Sequence, residues 1–264
     1  MANLSRSDPA AARRLETLFT PADFARLPER DLRGATCVVF DVLRATSSMV
    51  TALAHGAREI FPVADIAEAL ARRRARPELL LAGERDGRRI GAARTGGVEF
   101  DLGNSPREFR PEVVAGRSLV MTTTNGTRAL RACAGAARVY GAAFLNLGTL
   151  VARLQAAPPE HLLVVCGGTF EEAALEDALA AGALLEALWP RYAAGHVSDA
   201  AVIARALFHR HGRDLPRAFR LARNGRRLLE QPALREDVAF CARRDVFAVL
   251  PALEGDRLVA LNAP

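Results

Sequence analysis

The chain reads as an α/β protein, a layered α/β/α arrangement on a parallel or mixed sheet. Three observations predict this. Short β-branched runs alternate with Ala- and Leu-rich stretches, the pattern of strands joined by crossover helices. Half of the 264 residues are apolar, enough for one sizeable core. Two stretches, starting at Gly34 and Gly116, echo each other as apolar strand, hydroxyl-rich turn, short helix, Gly-Ala and second strand. Two similar βαβ units of this kind would set two polar turns around one cleft.

Residues 1–33 carry charges at Arg6, Asp8, Arg13 and Arg14, lack the apolar centre of a signal peptide and read as an N-terminal segment. The run C-V-V-F predicts a buried strand over 37–40. A helix over 46–55 follows and stops at Gly56, which suits the left-handed position past a helix end. Strand 59–63 leads to helix 66–74, whose Arg72, Arg73 and Arg74, with Arg76, make a solvated basic end. Strands at 79–82 and 118–122 come next. Helix 127–133 ends before Gly135, read like Gly56. Strand 138–140, helix 147–156 and the apolar run of strand 162–166 continue the alternation. A helix over 173–188 completes an α/β core spanning 34–190, its first turn favoured by Glu171 and Glu172. Residues 191–264 read as a C-terminal subdomain packed on that core. It has a helix at 199–209, Arg-rich helical segments and strands at 246–250 and 258–261, parted by Pro251 and Gly255.

Composition excludes several chemistries. All 36 basic side chains are arginine, so no lysine can serve a P-loop, a Schiff base or a phosphotransferase of the haloacid-dehalogenase type. The net charge of +6 comes from arginines scattered among 30 acids, and aromatic residues are only 6%, so no nucleic-acid platform is expected. Cys37, Cys133, Cys166 and Cys241 are too far apart for a zinc or disulfide framework. No apolar run reaches the length of a membrane span, and a cytoplasmic protein without membrane partners is expected. Familiar phosphatase signatures are missing too. Asp41 lacks a second aspartate two residues on, no cysteine has arginine six positions later, and Arg210-His211-Gly212 lies too late in the chain. The histidines show no metal-ligand spacing.

Four segments could carry chemistry. Asp41-Val42-Leu43-Arg44-Ala45-Thr46-Ser47-Ser48 follows a strand end, where open α/β sheets bind ligands and a helix start offers free N–H groups. Asp41 suits a metal or nucleophilic attack, Arg44 can fork onto an anion, and Thr46 or Ser47 can cap the helix and touch the ligand. Thr122-Thr123-Thr124-Asn125-Gly126-Thr127-Arg128 makes a second anion cradle without lysine. Asp101 and Asn104 lie beside Ser105, Pro106 and Glu108, which spell a capping box, and Glu84, after the apolar run 79–82, is another acid at a strand end. Past Gly167-Gly168, acids crowd a helix start. Glu172 and Glu176 repel there at i, i+4 unless a cation intervenes, and a hard metal such as Mg²⁺ would relieve Glu176 and Asp177.

Five blocks, D-V-L-R-A-T at Asp41, G-E-R at Gly83, F-D-L-G-N-S-P at Phe100, T-T-T-N-G-T at Thr122 and L-E-D-A-L-A-A-G at Leu175, together resemble the 2-phosphosulfolactate phosphatase family. With the late R-R-L-L-E and E-D-V-A-F-C segments, the resemblance covers about residues 34 to 250. It implies an unusual α/β fold and a Mg²⁺-dependent phosphatase that converts 2-phosphosulfolactate to 3-sulfolactate and phosphate, the chemistry of coenzyme M biosynthesis. On that basis Asp41 and Arg44 are catalytic candidates, and Asp41, Glu84 and Asp177 are metal ligands. Thr46, Asn104, Ser105, Thr123, Asn125, Gly126 and Thr127 would bind a small phosphorylated organic acid, and Asp101 is a reserve acid. A homodimer is compatible with this reading. Two alternatives stay open: a phosphatase for another small phosphorylated hydroxy acid, and a non-catalytic protein that binds anions or nucleic acid through its arginines.

Overall fold

A computed structural model describes residues 13–262. Among them one 11-stranded sheet runs through the molecule. Its strands are β1 (Arg14–Leu18), β2 (Ala35–Phe40), β3 (Glu59–Pro62), β4 (Leu80–Arg85), β5 (Arg88–Arg89), β6 (Ser118–Thr122), β7 (Arg138–Ala142), β8 (His161–Cys166), β9 (His196–Val197), β10 (Val249–Glu254) and β11 (Arg257–Asn262). The helices are α1 (Pro21–Ala25), α2 (Ala45–Ala54), α3 (Ile66–Ala75), α4 (Pro111–Val114), α5 (Gly126–Ala132), α6 (Leu147–Ala156), α7 (Leu175–Tyr192), α8 (Asp199–His211), α9 (Leu215–Leu221), α10 (Arg223–Leu229) and α11 (Arg235–Cys241). The expected strand over 118–122 and helix over 147–156 are found with those limits, and the other expected elements lie within a few residues of their predicted places. The first twelve residues, with Arg6 and Asp8, lie outside the described part.

Period-two alternation explains the layers. Along β2, Val38 and Phe40 pack with α6 and α7, while Cys37 and Val39 face the opposite layer with α2 and α5. β8 divides in the same way, with Leu162 and Val164 on one side and Leu163 and Val165 on the other. Strands buried on both faces read as unbroken apolar runs, as C-V-V-F and L-L-V-V-C do. All four cysteines are free and buried among these layers.

The sheet order is β5-β4-β6-β3-β11-β10-β7-β2-β8-β1-β9. It consists of a parallel block β7-β2-β8-β1-β9 and a parallel block β4-β6-β3, separated by the antiparallel hairpin β10–β11. β10 joins β7, and β11 joins β3, both antiparallel. Three successive reversals make the two blocks run in opposite directions.

This corrects two expectations. The C-terminal strands are interior strands of the sheet, not part of a layer packed on a finished core. Nor do the two echoing stretches close βαβ units of neighbouring parallel strands. β2 and β3 lie on opposite sides of the hairpin, as do β6 and β7, and α2 spans it in contact with β10 and β11. Each stretch begins in one block and ends in the other.

Smaller corrections have local causes. Pro251 does not end a strand; it sits inside β10 opposite Ala260, and the link of β10 to β7 is the single pair Ala252 and Tyr140, so a missing N–H is tolerated. Gly56 has the left-handed φ of +87°, but Gly135 does not. Glu171 and Glu172 precede α7, so its first-turn acids are Glu176 and Asp177, and the expected repulsion along one helix does not arise. Ser105 makes no cap. Its hydroxyl bonds Asp237 while Glu108 accepts from the Gly103 amide, over a short 3-10 turn at Pro106–Glu108. No helix among the described residues is long and apolar enough to cross a membrane.

Candidate functional site

The carboxyl ends of β2, β4, β6 and β8 converge on one narrow cleft. Asp41, the residue after β2, is held there by its neighbours. Its backbone N–H donates to Thr46 Oγ1 at 3.0 Å, and its Oδ1 accepts from the Ala45 amide at 3.2 Å. A Cβ added at Gly126 would stand 2.7 Å from Asp41 Oδ2, and one at Gly167 would stand 3.1 Å from it. Two Cα positions without side chains thus leave the carboxylate room to face the cleft. Burial pushes the Asp41 carboxyl up to about 6, and the nearby Glu84 charge adds to the shift.

Glu84, at the end of β4, lines the same cleft. Its Oε1 accepts from both the amide and the hydroxyl of Thr124 at 2.8 Å, and its Oε2 accepts from the Gly87 amide at 2.8 Å. The G-E-R and T-T-T-N segments are therefore pinned to each other through one carboxylate. Asn104 and Asn125 also line the cleft. Asn125 Nδ2 donates to the Phe170 carbonyl at 2.8 Å and the Gly168 carbonyl at 3.3 Å, tying the second turn to the Gly-Gly loop. Asn104 Oδ1 is buried without a hydrogen-bond partner.

Arg44 is 3% exposed and lies against the cleft. One guanidinium nitrogen meets Asp237 Oδ2 at 2.7 Å and another meets the Gly87 carbonyl at 2.7 Å. Asp237, fully buried on α11, also accepts from Ser105 Oγ at 2.6 Å. Removing one member of such a buried pair typically costs about 3–5 kcal/mol, because the other charge is left unpaired. The pair fixes the planar guanidinium at the cleft.

Several residues expected to touch the ligand also make contacts within the protein. Thr46 is fully buried and braces the Asp41 backbone. Thr123 and Thr127 bond each other reciprocally, each amide donating to the other's hydroxyl at 3.1 Å, and so start α5. Ser105 serves Asp237, and Gly126 is the close contact behind Asp41. Asp101 is taken by Arg73 at 2.7 Å and the Leu81 amide at 2.8 Å. Asp177 lies under Asp41 with both oxygens occupied, accepting from the Val42 amide at 2.7 Å and the Gly168 amide at 3.0 Å. Burial holds its carboxyl well above the usual range, and the Asp41 and Glu176 charges contribute.

Asn224, Arg227, Phe170 and Asp237 were not among the expected site residues, and Glu176 was expected only as an acid that a metal would relieve. Glu176 is 1% exposed, its Oε2 has no partner, and burial raises it to about 7. Asn224 lines the cleft, its amide donating to the Leu43 carbonyl. The late R-R-L-L-E and E-D-V-A-F-C segments were the signal for Arg227 on α10 and Asp237 on α11, whereas Glu176 starts α7 and Phe170 lies in the loop before it. Among the described residues no three His, Cys, Asp or Glu side chains form a metal-holding group, so Asp41, Glu84 and Asp177 are not a preformed cage.

Comparison with known proteins agrees with the segments that build this cleft. Residues 23–256 match the family model of 2-phosphosulpholactate phosphatase. A protein of Symbiobacterium thermophilum described as "Probable 2-phosphosulfolactate phosphatase" is 37% identical over 245 residues, covering 89% of this chain and 98% of its own. Proteins with the same description from Pseudothermotoga lettingae and Picosynechococcus are each 37% identical, over 238 and 234 residues; they cover 90% and 88% of this chain and 97% and 90% of their own. With the match extending from α1 to the turn of the C-terminal hairpin, and so across every segment that reaches Asp41, the chain belongs to the 2-phosphosulfolactate phosphatase family, a family of phosphoric monoester hydrolases by description.

Proposed function

We propose that the chain is a Mg²⁺-dependent phosphatase of small phosphorylated hydroxy acids, with 2-phosphosulfolactate as the substrate. The observation that carries the reading is the desolvated Asp41 carboxylate, at a strand end, facing a cleft it shares with Glu84, Arg44 and three side-chain amides.

The donor set fits a hard cation. Magnesium is commonly held by one or two carboxylates together with substrate phosphate and water, so a three-carboxylate cage is not required. Asp41 and Glu84 would supply the carboxylates, and the unpartnered Asn104 Oδ1 a neutral oxygen. Asp86 is taken by Arg94 and Arg44 by Asp237, each at 2.7 Å, which leaves the Asp41 and Glu84 carboxylates for a cation to neutralise as a multiply charged anion enters. When bound, the metal would neutralise phosphoryl charge as a Lewis acid.

The chain's own groups then divide the work. Asp41 attacks phosphorus as the bond to the hydroxy-acid oxygen breaks, and water hydrolyses the resulting acyl phosphate, restoring the carboxylate. Arg44, fixed by Asp237 and Gly87, presents positive charge to the anion. Asn125 and Asn224 donate to the loop carbonyls that shape the walls.

Phosphate release is measured across phosphorylated three-carbon acids with and without Mg²⁺. Mg²⁺-dependent release from 2-phosphosulfolactate is expected, with a loss of at least about 10³-fold in Asp41→Asn. Single turnover in ¹⁸O-water should place label in the released phosphate, and borohydride reduction during turnover should convert the Asp41 acyl phosphate to homoserine. Full activity in Asp41→Asn, or release independent of metal, removes the mechanism.

A further inference from the structure

Arg227 stands at the mouth of the cleft with no role in the chemistry just described. It projects from α10 beside the Asp86–Gly87 turn, where a Cβ built on Gly87 would lie 3.5 Å from an Arg227 nitrogen and 3.9 Å from an Arg44 nitrogen. Two guanidiniums therefore flank one backbone position. Their surroundings differ. Arg44 is buried and paired with Asp237, whereas Arg227 has no carboxylate within ion-pair distance among the described residues. Its guanidinium lies over the Phe170 ring at 5.2 Å, and Arg223 takes a second place on that ring at 5.0 Å.

Phe170 is unusual in its own right. It is 40% exposed and has a left-handed φ of 57°, a conformation an aromatic residue rarely adopts. The Asn125 amide holds its carbonyl. The ring is thus a platform fixed at the rim, and it carries a guanidinium that has no counter-charge. Stacking orders the arginine before any ligand arrives and reduces the entropy lost when one binds.

We propose that Arg227, stacked on Phe170, binds the acidic group of the substrate that lies one carbon beyond the phosphorylated carbon, and so makes the enzyme select doubly acidic phosphoesters. This deepens the phosphatase reading and rests on it. The assignment follows from depth. With phosphorus at Asp41, the acid on the phosphorylated carbon itself stays near the buried Arg44. The acid on the next carbon reaches outward to the rim, where Arg227 stands. In 2-phosphosulfolactate that outer group is a sulfonate. A planar fork of donors with weak hydration suits this weakly basic, three-oxygen anion better than an ammonium would.

The test compares kcat/KM for 2-phosphosulfolactate and 2-phospholactate, which lacks only the sulfonate, in wild type, Arg227→Gln and Phe170→Leu. Arg227 is half-buried on a surface helix, so its replacement leaves the core intact. The wild-type preference for the sulfonate ester should fall roughly 10- to 100-fold in Arg227→Gln, the range for losing a charge-assisted contact, with KM carrying most of the change. Phe170→Leu should lower the same ratio by about threefold, since the apolar bulk remains and the ring face is lost. No preference in the wild type, an equal loss on both esters, or an unchanged ratio overturns the assignment. Should the wild type hydrolyse neither ester, the phosphatase reading fails and the sulfonate site is decided by calorimetric titration with 3-sulfolactate. Binding at least tenfold weaker in Arg227→Gln then supports the site, and equal or absent binding overturns it.

Discussion

Residue by residue, the site is a set of carboxylates whose surroundings assign them different tasks. Asp41 faces the cleft, Glu84 binds two loops together, Asp177 accepts two backbone amides, and Glu176 is sealed beneath with one oxygen unpartnered. Glu176 gives a test that does not depend on turnover. Burial raises it from 4.5 to about 7, so between these values the folded protein keeps a proton that the unfolded chain releases. Stability therefore falls as pH rises through that window, and above about 7 the buried charge acts in full. Glu176→Gln resembles the protonated form. Without Mg²⁺, urea unfolding should show the variant gaining on wild type between pH 5 and pH 8 by on the order of 2 kcal/mol. A variant that instead loses ground toward pH 8 would mean that Glu176 is ionised and paired in the fold.

At the scale of elements, α2 and α5 begin side by side next to Asp41, and the approach of their first turns decides how its carboxylate is aimed. A methyl group at Gly126 would meet Ala45 Cβ at 2.5 Å and Asp41 Oδ2 at 2.7 Å, so Gly126→Ala must push apart the starts of both helices. Overpacking of this kind costs about 1–3 kcal/mol, and phosphate release should fall at least roughly tenfold because the carboxylate moves. Gly135→Ala meets nothing within 4 Å and should stay within about 0.5 kcal/mol of wild type in the same urea assay, with turnover retained. Unchanged activity in Gly126→Ala would show that the approach tolerates a methyl group. The sequence already displayed the two turns, because Asp41 and Asn125 each follow an apolar strand and precede a helix. It did not display which hydroxyls turn inward. Thr46, Thr123, Thr127 and Ser105 are polar residues in a polar turn, and whether a hydroxyl meets substrate or its own backbone depends on φ/ψ and on neighbours distant in sequence, such as Asp237. The place of Arg227 and Asn224 was concealed for the same reason: the R-R-L-L-E segment was visible, but α10 reaches the cleft only through tertiary packing.

For the whole molecule, the least legible feature is the place of the final hairpin. Its strands were visible as apolar runs at 246–250 and 258–261, but no local pattern says that they enter the middle of a sheet begun more than two hundred residues earlier. That insertion separates β2 from β3 and β6 from β7, and it allows two oppositely directed blocks to bring their carboxyl ends to one cleft. It also makes the last segment indispensable. Val249, Leu250, Ala252 and Leu258 are buried, with Leu250 in one core layer and Val249 and Leu258 in the opposite one. Fully burying each large aliphatic side chain is worth roughly 1.5–3 kcal/mol. Three of them approach the entire margin of about 5–15 kcal/mol that keeps a domain folded, before counting the unpaired edges left on β3 and β7. A chain ending at Asp245 should therefore lose cooperative unfolding in urea and the amide protons protected from exchange in β3 and β7, although it retains Asp41, Glu84 and Arg227. A truncated chain that unfolded cooperatively with the full-length denaturant slope would show that the blocks close directly on each other, and the hairpin would then be an accessory to the cleft, not its frame.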